Sequence, residues 1–415
     1  MKVCDVVSNS VWYDPRVRKQ LVEYINNGVE VVSVGLKDNR YEEDKMKNVP
    51  CKVVLADIDE KYKKPLSKVE VLLKEFNRVK KLREAIIAQK PDIIHANDLD
   101  TLTAACQAAK KLGCRVVYDS HEICVENHQM KGIYKKLNAI CENVFIKRID
   151  KMVCVSHAAA DYFTNKYNIE KPMVITNCSL KAEKTVSSEK NEGFEILNHG
   201  VYYGGRGYDI IVESSALLKD YPEIKITLRG FGAMEDELRK RAKELDGENV
   251  IFYPPVLVNE LIPYASRSKV GVAITENTCL NFELSVSNKI FEYASAGLPV
   301  IMSDIPEHRY LNEKYKFGII LEKNTPECFA EAAIRLYEDK DFYNECSKNA
   351  EKLSEEVREY LQDNTIEELA DIIEVIEALA ENQGSSLREV MEFKQRKQSK
   401  NGAFKDRIFL ISVDG

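Results

Sequence analysis

The chain lacks the features that would place it in several large classes. It has no apolar run of about 18 residues, so no membrane-crossing helix is expected. Its N-terminus, MKVCDVV, has no basic n-region or apolar core before it enters strand-like sequence. That predicts no secretory leader and a cytoplasmic protein. Eleven cysteines are present, yet none forms a Cys-x-x-Cys pair. Cys4, Cys106, Cys154 and Cys178 stand singly among apolar or small residues, as buried thiols do. A reducing compartment is expected, with neither disulfides nor zinc. Positive charge is not in excess either: 60 Lys and Arg stand against 67 Asp and Glu, a formal net charge of -7. This argues against nucleic acid as a partner. Tryptophan occurs once, at Trp12, and no short-period repeat or low-complexity segment is seen.

What is there is an ordinary globular composition. The 415 residues are 44% hydrophobic and 31% charged, which suits two or three domains. The charge is unevenly placed. Residues 351–415 hold nine Lys and Arg against fifteen Asp and Glu, so the tail is compositionally a different piece.

Strand and helix signals alternate along most of the chain. β-branched or apolar runs at Lys2–Val7, Val29–Val34, Asp92–His95, Arg115–Tyr118, Met152–Val155 and Met173–Ile175 are separated by helical patterns such as Val17–Asn27 and Val69–Gln89. A second series has strands at Phe194–His199, Lys225–Arg229, Val250–Tyr253, Val270–Ile274, Val300–Ser303 and Gly318–Leu321. Its helices are expected at Tyr208–Lys219, Met234–Leu245, Val258–Ser266, Ser287–Ala296 and Pro326–Glu338. Alternating βα units predict parallel sheets covered by helices, with ligands at the carboxyl ends of the strands. The expectation is therefore an α/β chain: two doubly wound, Rossmann-like domains (1–180 and 193–340) facing across a cleft, joined by the polar stretch 181–192. An all-helical segment follows over 341–415, rich in Glu and Ala.

The second half carries the parts of a phosphate site. Arg229-Gly230-Phe231-Gly232 reads as a turn after a strand, where glycine lets backbone N–H groups approach a phosphate. Gly204-Gly205-Arg206-Gly207 is a second glycine-rich turn, and Arg206 could clamp a diphosphate. Each is equally compatible with an ordinary turn and a surface arginine. The segment Ser287–Ile301 reads as helix, glycine stop, proline and strand. Within it Lys289 and Glu292 share a face, as a salt bridge or as ligand groups. A carboxylate beside a nucleotide suits ribose hydroxyls rather than phosphate.

The run NKIFEYASAGLPVI resembles the donor-site segment of retaining glycosyltransferases of family 4, which have the GT-B fold. SNSVWYDPRVRKQ, PDIIHANDLDTL, VVYDSHE, KMVCVSHAAADYF, VITNCS, HGVYYGGRGYDIIVESSALL and LRGFGAMEDELRK are similar to further segments of that family, in the family's order. The likeness covers about residues 1–350. It implies transfer of a sugar from a nucleotide-diphosphate sugar (UDP- or GDP-linked) to a glycan or lipid-linked acceptor, with retention and with no metal or other cofactor. Glu292 would bind the ribose, Arg206 the diphosphate, and Gly204, Gly230, Gly232, Asn288 and Lys289 would line the donor site. His121 would face the transferred sugar, making His121, Arg206 and Glu292 the catalytic set. Asp14 and Arg16 would flank the acceptor. Two positions depart from the family pattern. Leu284 stands where the family's first motif glutamate falls, and Val201 where a basic residue follows the first donor-domain strand. Asp98-Leu99-Asp100 has a metal-motif spelling but lies in the first half, where it reads as a helix N-cap with Thr101.

The tail resembles the second half of small all-helical MazG-like nucleoside triphosphate pyrophosphohydrolases. Glu355, Glu356, Glu359, Glu368 and Asp371 match that family's E-E-x-x-E and E-x-x-D motifs, and Asn401–Leu410 its closing segment. On that resemblance Glu356, Glu359, Glu368 and Asp371 would hold Mg²⁺, and the tail would pair two chains as a homodimer; spacing alone favours two solvated acidic faces. The resemblance to family 4, whose members often touch the membrane through a basic amphipathic helix, implies peripheral contact with the inner face of the cell membrane through the Lys-rich stretches 63–90 or 131–148; by themselves these read as solvated faces. A bifunctional enzyme, or a non-catalytic nucleotide-sugar-binding scaffold, stays open as an alternative to a simple transferase.

Overall fold

The computed structural model describes residues 1–11, 14–37, 51–58, 68–128, 130–177, 191–257 and 260–362. Met1–Ser354 is one compact unit that holds both sheets, and a second unit runs from Glu355 to Gly415.

The first half is built from β1 (Lys2–Val6), α1 (Pro15–Asn26), β2 (Glu30–Leu36), β3 (Lys52–Ala56), α2 (Lys68–Gln89), β4 (Ile93–Asn97), α3 (Leu99–Leu112), β5 (Arg115–Ser120), α4 (Gly132–Phe145), β6 (Lys151–Cys154), α5 (His157–Tyr167) and β7 (Met173–Val174). Its strands form one seven-stranded parallel sheet, ordered β3-β2-β1-β4-β5-β6-β7. Helices on both faces leave the central strands no exposed side, so they read as continuous apolar runs: Val3, Cys4 and Val6 are all buried. α1 begins where Asp14 accepts from the N–H groups of Arg16 and Val17 and Pro15 occupies the first turn. Its Val17 and Leu21 then face the core.

The second half repeats the scheme with β8 (Phe194–Val201), α6 (Tyr208–Ser214), β9 (Ile224–Phe231), α7 (Glu235–Glu244), β10 (Val250–Tyr253), α8 (Leu261–Ala265), β11 (Val270–Ala273), α9 (Leu280–Leu284), α10 (Asn288–Ser295), β12 (Val300–Ser303), α11 (Pro306–Tyr315), β13 (Gly318–Leu321), α12 (Pro326–Glu338) and α13 (Lys340–Gln362). The six strands are parallel, ordered β10-β9-β8-β11-β12-β13. In both sheets the chain order reverses beside the first strand, between β1 and β4 and between β8 and β11. Doubly wound sheets open a binding crevice at that point.

Several elements differ from the sequence reading. β3 is an edge strand that the reading missed. β9 runs two residues further than expected and includes Gly230 and Phe231. α9 and α11 were not anticipated as separate helices. α13 was expected to open the tail, yet its buried Cys346, Ala350 and Leu353, and the bond from Ser347 Oγ to the Gly297 carbonyl, tie its first turns to the second half. Asp98 sits at the N-cap position of α3 but makes no side-chain cap bond. Its backbone has φ +61°, rare for a residue other than glycine, and its carboxylate turns to His121 instead. Among the described residues the cysteines are free thiols, with Cys4, Cys106 and Cys154 buried; Cys178 lies outside the described residues. No helix of the described residues is long and apolar enough to cross a membrane. Glu368, Asp371 and the side chains of Glu356 and Glu359 also lie outside the described residues.

Candidate functional site

A cavity of about 860 Å³ opens between the two sheets. The first half contributes Arg16, His121, Glu122, Asn127, His128, Val155 and Asn177 to its walls. The second contributes Val201, the turn Tyr203–Arg206, Tyr208, the α9 residues Asn281 and Phe282, and Ser285–Lys289. Arg16, His121, Gly204, Arg206, Asn288 and Lys289, all expected at the site, thus meet around one space.

Arg206 leaves the turn between β8 and α6. That turn needs glycine: Gly205 and Gly207 have φ of +83° and +67°, and a Cβ on Gly207 would meet Ile274 Cγ2 at 2.3 Å. The guanidinium lies 4.5 Å over the Phe282 ring. Its Nε donates to the Tyr203 hydroxyl (2.8 Å) and Nη1 to Thr275 Oγ1 (3.3 Å). Lys289 rises from the first turn of α10 and donates to Asn198 Oδ1 at 2.6 Å. Burial, then the neighbouring Arg206, push Lys289 down to about 7, with Glu292 opposing. Both cations therefore take neutral partners, and they repel each other. Ser287 caps α10 without a side-chain bond, so the first N–H groups of that helix keep their donors for the cavity. Two cations and a helix N-terminus at one wall are an arrangement suited to an anion. Val201, where a basic residue was missed in the sequence, is 46% exposed, and the Lys289 side chain passes beside its neighbour Gly200.

The lining stops at Lys289. Glu292 lies one turn further along α10, where its Oε2 is 2.6 Å from His199 Nε2. Burial disfavours its charge, but the His199 bond and the charges of His199, Lys289 and Lys19 outweigh it and hold Glu292 below its ordinary value. His199 was not singled out from the sequence; the only signal was a polar residue at the end of an apolar strand. Gly230 and Gly232 lie away from the lining. A Cβ on Gly230 would sit 1.8 Å from the Gly200 carbonyl oxygen, and one on Gly232 2.3 Å from that of Tyr202, so packing of β9 on β8 accounts for both glycines.

On the opposite wall His121 is fixed by two carboxylates. Its Nδ1 lies 3.1 Å from Asp98 Oδ2 and its Nε2 3.3 Å from Asp119 Oδ2. Its backbone N–H donates to Asp98 Oδ1. Burial works against a charged ring, but these carboxylates push His121 up to about 10. Asp119 also accepts from Gln20 (2.5 Å) and lies 3.4 Å from His95, which in turn is 3.9 Å from the fully buried Asp5. Burial lifts Asp5 to about 6, against the pull of His95 and Asn97. Among the described residues no three or more His, Cys, Asp or Glu side chains are grouped to hold a metal ion. Asp14, expected on the acceptor side, uses its carboxylate to cap α1 and to accept from Asn9.

The halves are tied together beside the cavity. The Ile123 N–H donates to Asn281 Oδ1 (2.7 Å) and Ser156 Oγ to the Leu284 carbonyl (2.5 Å). Glu307 of α11 accepts from both the N–H and Nδ1 of His157, each at 2.9 Å.

Comparison with known proteins agrees with this geometry half by half. Residues 17–178 match Glycosyltransferase Family 4, and residues 193–339 match Glycosyl transferases group 1. An uncharacterized glycosyltransferase of Haemophilus influenzae is 22% identical over 284 residues, 68% of this chain and 76% of that protein. The poly(glycerol-phosphate) alpha-glucosyltransferase of Bacillus subtilis is 24% identical over 252 residues, 59% of this chain but only 34% of that protein. Among solved structures, HepE of Anabaena in complex with UDP and glucose superposes with a TM-score of 0.63 at 15% identity, covering 87% of this chain and 99% of that one. Two family matches, one on each half of a two-sheet fold with a wall suited to an anion in its cleft, make this chain a GT-B glycosyltransferase.

Proposed function

We propose that the enzyme moves a sugar from a nucleoside diphosphate, held on the second half, to a glycan or lipid-linked acceptor presented from the first, with retention at the anomeric carbon. The observation that carries this is the pairing of Arg206 and Lys289 near the N-terminus of α10, with no salt bridge to either among the described residues and only Glu292, itself bonded to His199, acting on Lys289 from a distance. A diphosphate supplies the missing charge. As the bond from the anomeric carbon to the phosphate oxygen breaks, negative charge grows on the departing diphosphate, and both cations and the helix N–H groups are already in place for it. The acceptor oxygen bonds to the anomeric carbon from the same face, and its proton passes to the departing phosphate oxygen. His121 holds no free lone pair for that proton, because both ring nitrogens point at carboxylates. Its part is to shape and charge the acceptor wall. Glu292 accepts from the ribose hydroxyls. This chemistry asks for no metal ion.

The donor is identified by ³¹P NMR of the full chain with a panel of UDP-, GDP- and ADP-sugars. Nucleoside diphosphate appearing from one of them, with Arg206→Met silent, supports the assignment. No release from any donor, even with lipid and glycan acceptors supplied, overturns it.

We also propose that the acceptor is met at an anionic lipid surface. Leu72, Leu73 and Phe76 of α2 and Ile133 and Ile140 of α4 are exposed. Lys74, Lys80, Lys81, Lys135 and Lys136 lie on the same two helices, which both pack on α3. Apolar side chains among lysines suit a headgroup layer. Sedimentation with phosphatidylglycerol vesicles, lost in Phe76→Ser with Leu73→Ser, tests it; equal sedimentation of both proteins refutes it.

A further inference from the structure

We propose that His199 is a positioning residue that fixes the Glu292 carboxylate for the ribose, and so sets the preference of this enzyme for ribose over deoxyribose nucleotides. The proposal rests on the reading of Glu292 as the ribose acceptor.

A glutamate has three side-chain torsions, and one near a cleft samples many directions. Here one oxygen is anchored: Oε2 meets His199 Nε2 at 2.6 Å, while the carboxylate side chain keeps 20% exposure. The anchor itself is rigid. His199 ends β8 in register with Arg229 and is 5% exposed. Its backbone N–H donates to the Tyr293 hydroxyl at 3.2 Å, and its ring meets the Tyr293 ring edge-on at 4.8 Å. Tyr293 is fully buried and lies flat over Gly271, where a Cβ would come within 2.2 Å of its ring. The order of support is thus Gly271 of β11, Tyr293 and Glu292 as neighbours on α10, and His199 of β8. β8 and β11 are the two strands flanking the crevice, so the carboxylate is referenced to the sheet and not only to its own short helix. A preorganised acceptor loses less freedom when it engages the paired hydroxyls of a ribose. Among the described residues the buried Nδ1 of His199 has no hydrogen-bond partner, and the ring's side-chain bond is the one to Glu292.

The test compares binding of UDP, GDP and ADP with that of their 2′,3′-dideoxy forms by calorimetry, on the full chain. Wild type should prefer the ribose form by about tenfold or more, the scale of a charge-assisted hydrogen bond. His199→Phe keeps a ring against Tyr293 but removes the nitrogen. The preference should fall to within about twofold while the dideoxy affinity holds, and His199→Gln, which restores an N–H, should recover part of it. If ribose and dideoxy forms weaken together in His199→Phe, or the preference is unchanged, His199 only packs and the proposal fails. Glu292→Ala separates the two levels. If it abolishes the preference and His199→Phe does not, only the positioning role is lost. If wild type shows no preference, Glu292→Ala leaves it intact, or no diphosphate binds, the ribose reading falls and takes this proposal with it.

Discussion

Lys289 reaches Asn198, 91 positions earlier in the chain, and donates to its Oδ1 at 2.6 Å. A lysine satisfied by a neutral amide beside an arginine is a poor resting state for a full charge. It becomes a good one when a diphosphate arrives.

The first prediction follows from that contrast. Free Lys289 sits near 7, whereas a bound diphosphate raises it. Below pH 7 the lysine is charged before binding. Above it, binding must draw a proton from solvent, so affinity falls as pH rises, by at most tenfold per unit. Calorimetry with UDP from pH 7 to 8.5, above the phosphate's own titration near about 6, should show uptake approaching one proton. Lys289→Met should lose affinity by about ten- to hundredfold at pH 7 and lose the slope as well.

Arg206 should matter more to turnover than to binding. In the proposed mechanism its charge faces phosphate oxygens that are already charged in the donor and gain more as the glycosidic bond breaks. Arg206→Met is expected to lower kcat by about 10²–10³-fold at saturating donor. Arg206→Lys should recover little, since an ammonium cannot keep the flat stack on Phe282 together with the bonds to Tyr203 and Thr275. Steady-state kinetics on the identified donor decides this.

His121 gives a pH signature in stability. Its folded value of about 10 lies above the model-peptide value of 6.5, so the folded protein holds a proton that the unfolded chain releases between them. That contribution is complete below about 6.5 and drains away as pH rises toward 10. Asp119→Asn removes one of the two carboxylates, so the decline with pH should become shallower. It should also cost about 1–3 kcal/mol at pH 7, because Gln20 loses a charged acceptor and His95 and His121 lose a buried counter-charge. Urea unfolding between pH 6 and 10 reads both effects.

Gly207→Ala should destabilise the second half by about 1–3 kcal/mol. Its φ of +67° disfavours any side chain, and the new methyl would drive into Ile274. Thermal unfolding checks the loss. A stability within a few tenths of wild type would mean the turn can relax, and the Arg206 setting with it.

Much of this was legible before any coordinates. The βα alternation fixed two parallel sheets because buried strands spell themselves as β-branched runs, as in Val270–Ala273 and Val300–Ser303. The glycine turn before α6 and the segment opening α10 named Arg206, Asn288 and Lys289 by spelling. Other features depend on contacts that no local pattern contains. β3 is an edge strand whose middle residues are only half-buried, so its apolar signal is diluted. α9 has five residues, too short for a helical period to show. His199 gains its meaning from a glutamate 93 positions away, and Asp98 from a histidine 23 positions away. Gly230 and Gly232 were read as donor-site glycines, but they lie outside the cavity lining, and the crowding that demands them comes from β8 and Tyr202.

α9 does three jobs within five residues. Asn281 takes a bond from the first half, Leu284 takes another, and Phe282 between them is the shelf on which the Arg206 guanidinium rests while its far side meets His128. The shelf under Arg206 thus belongs to the same short helix that ties the two halves together. A substitution in this helix would therefore be felt at once in the cavity wall, in the seat of Arg206 and at the seam between the halves.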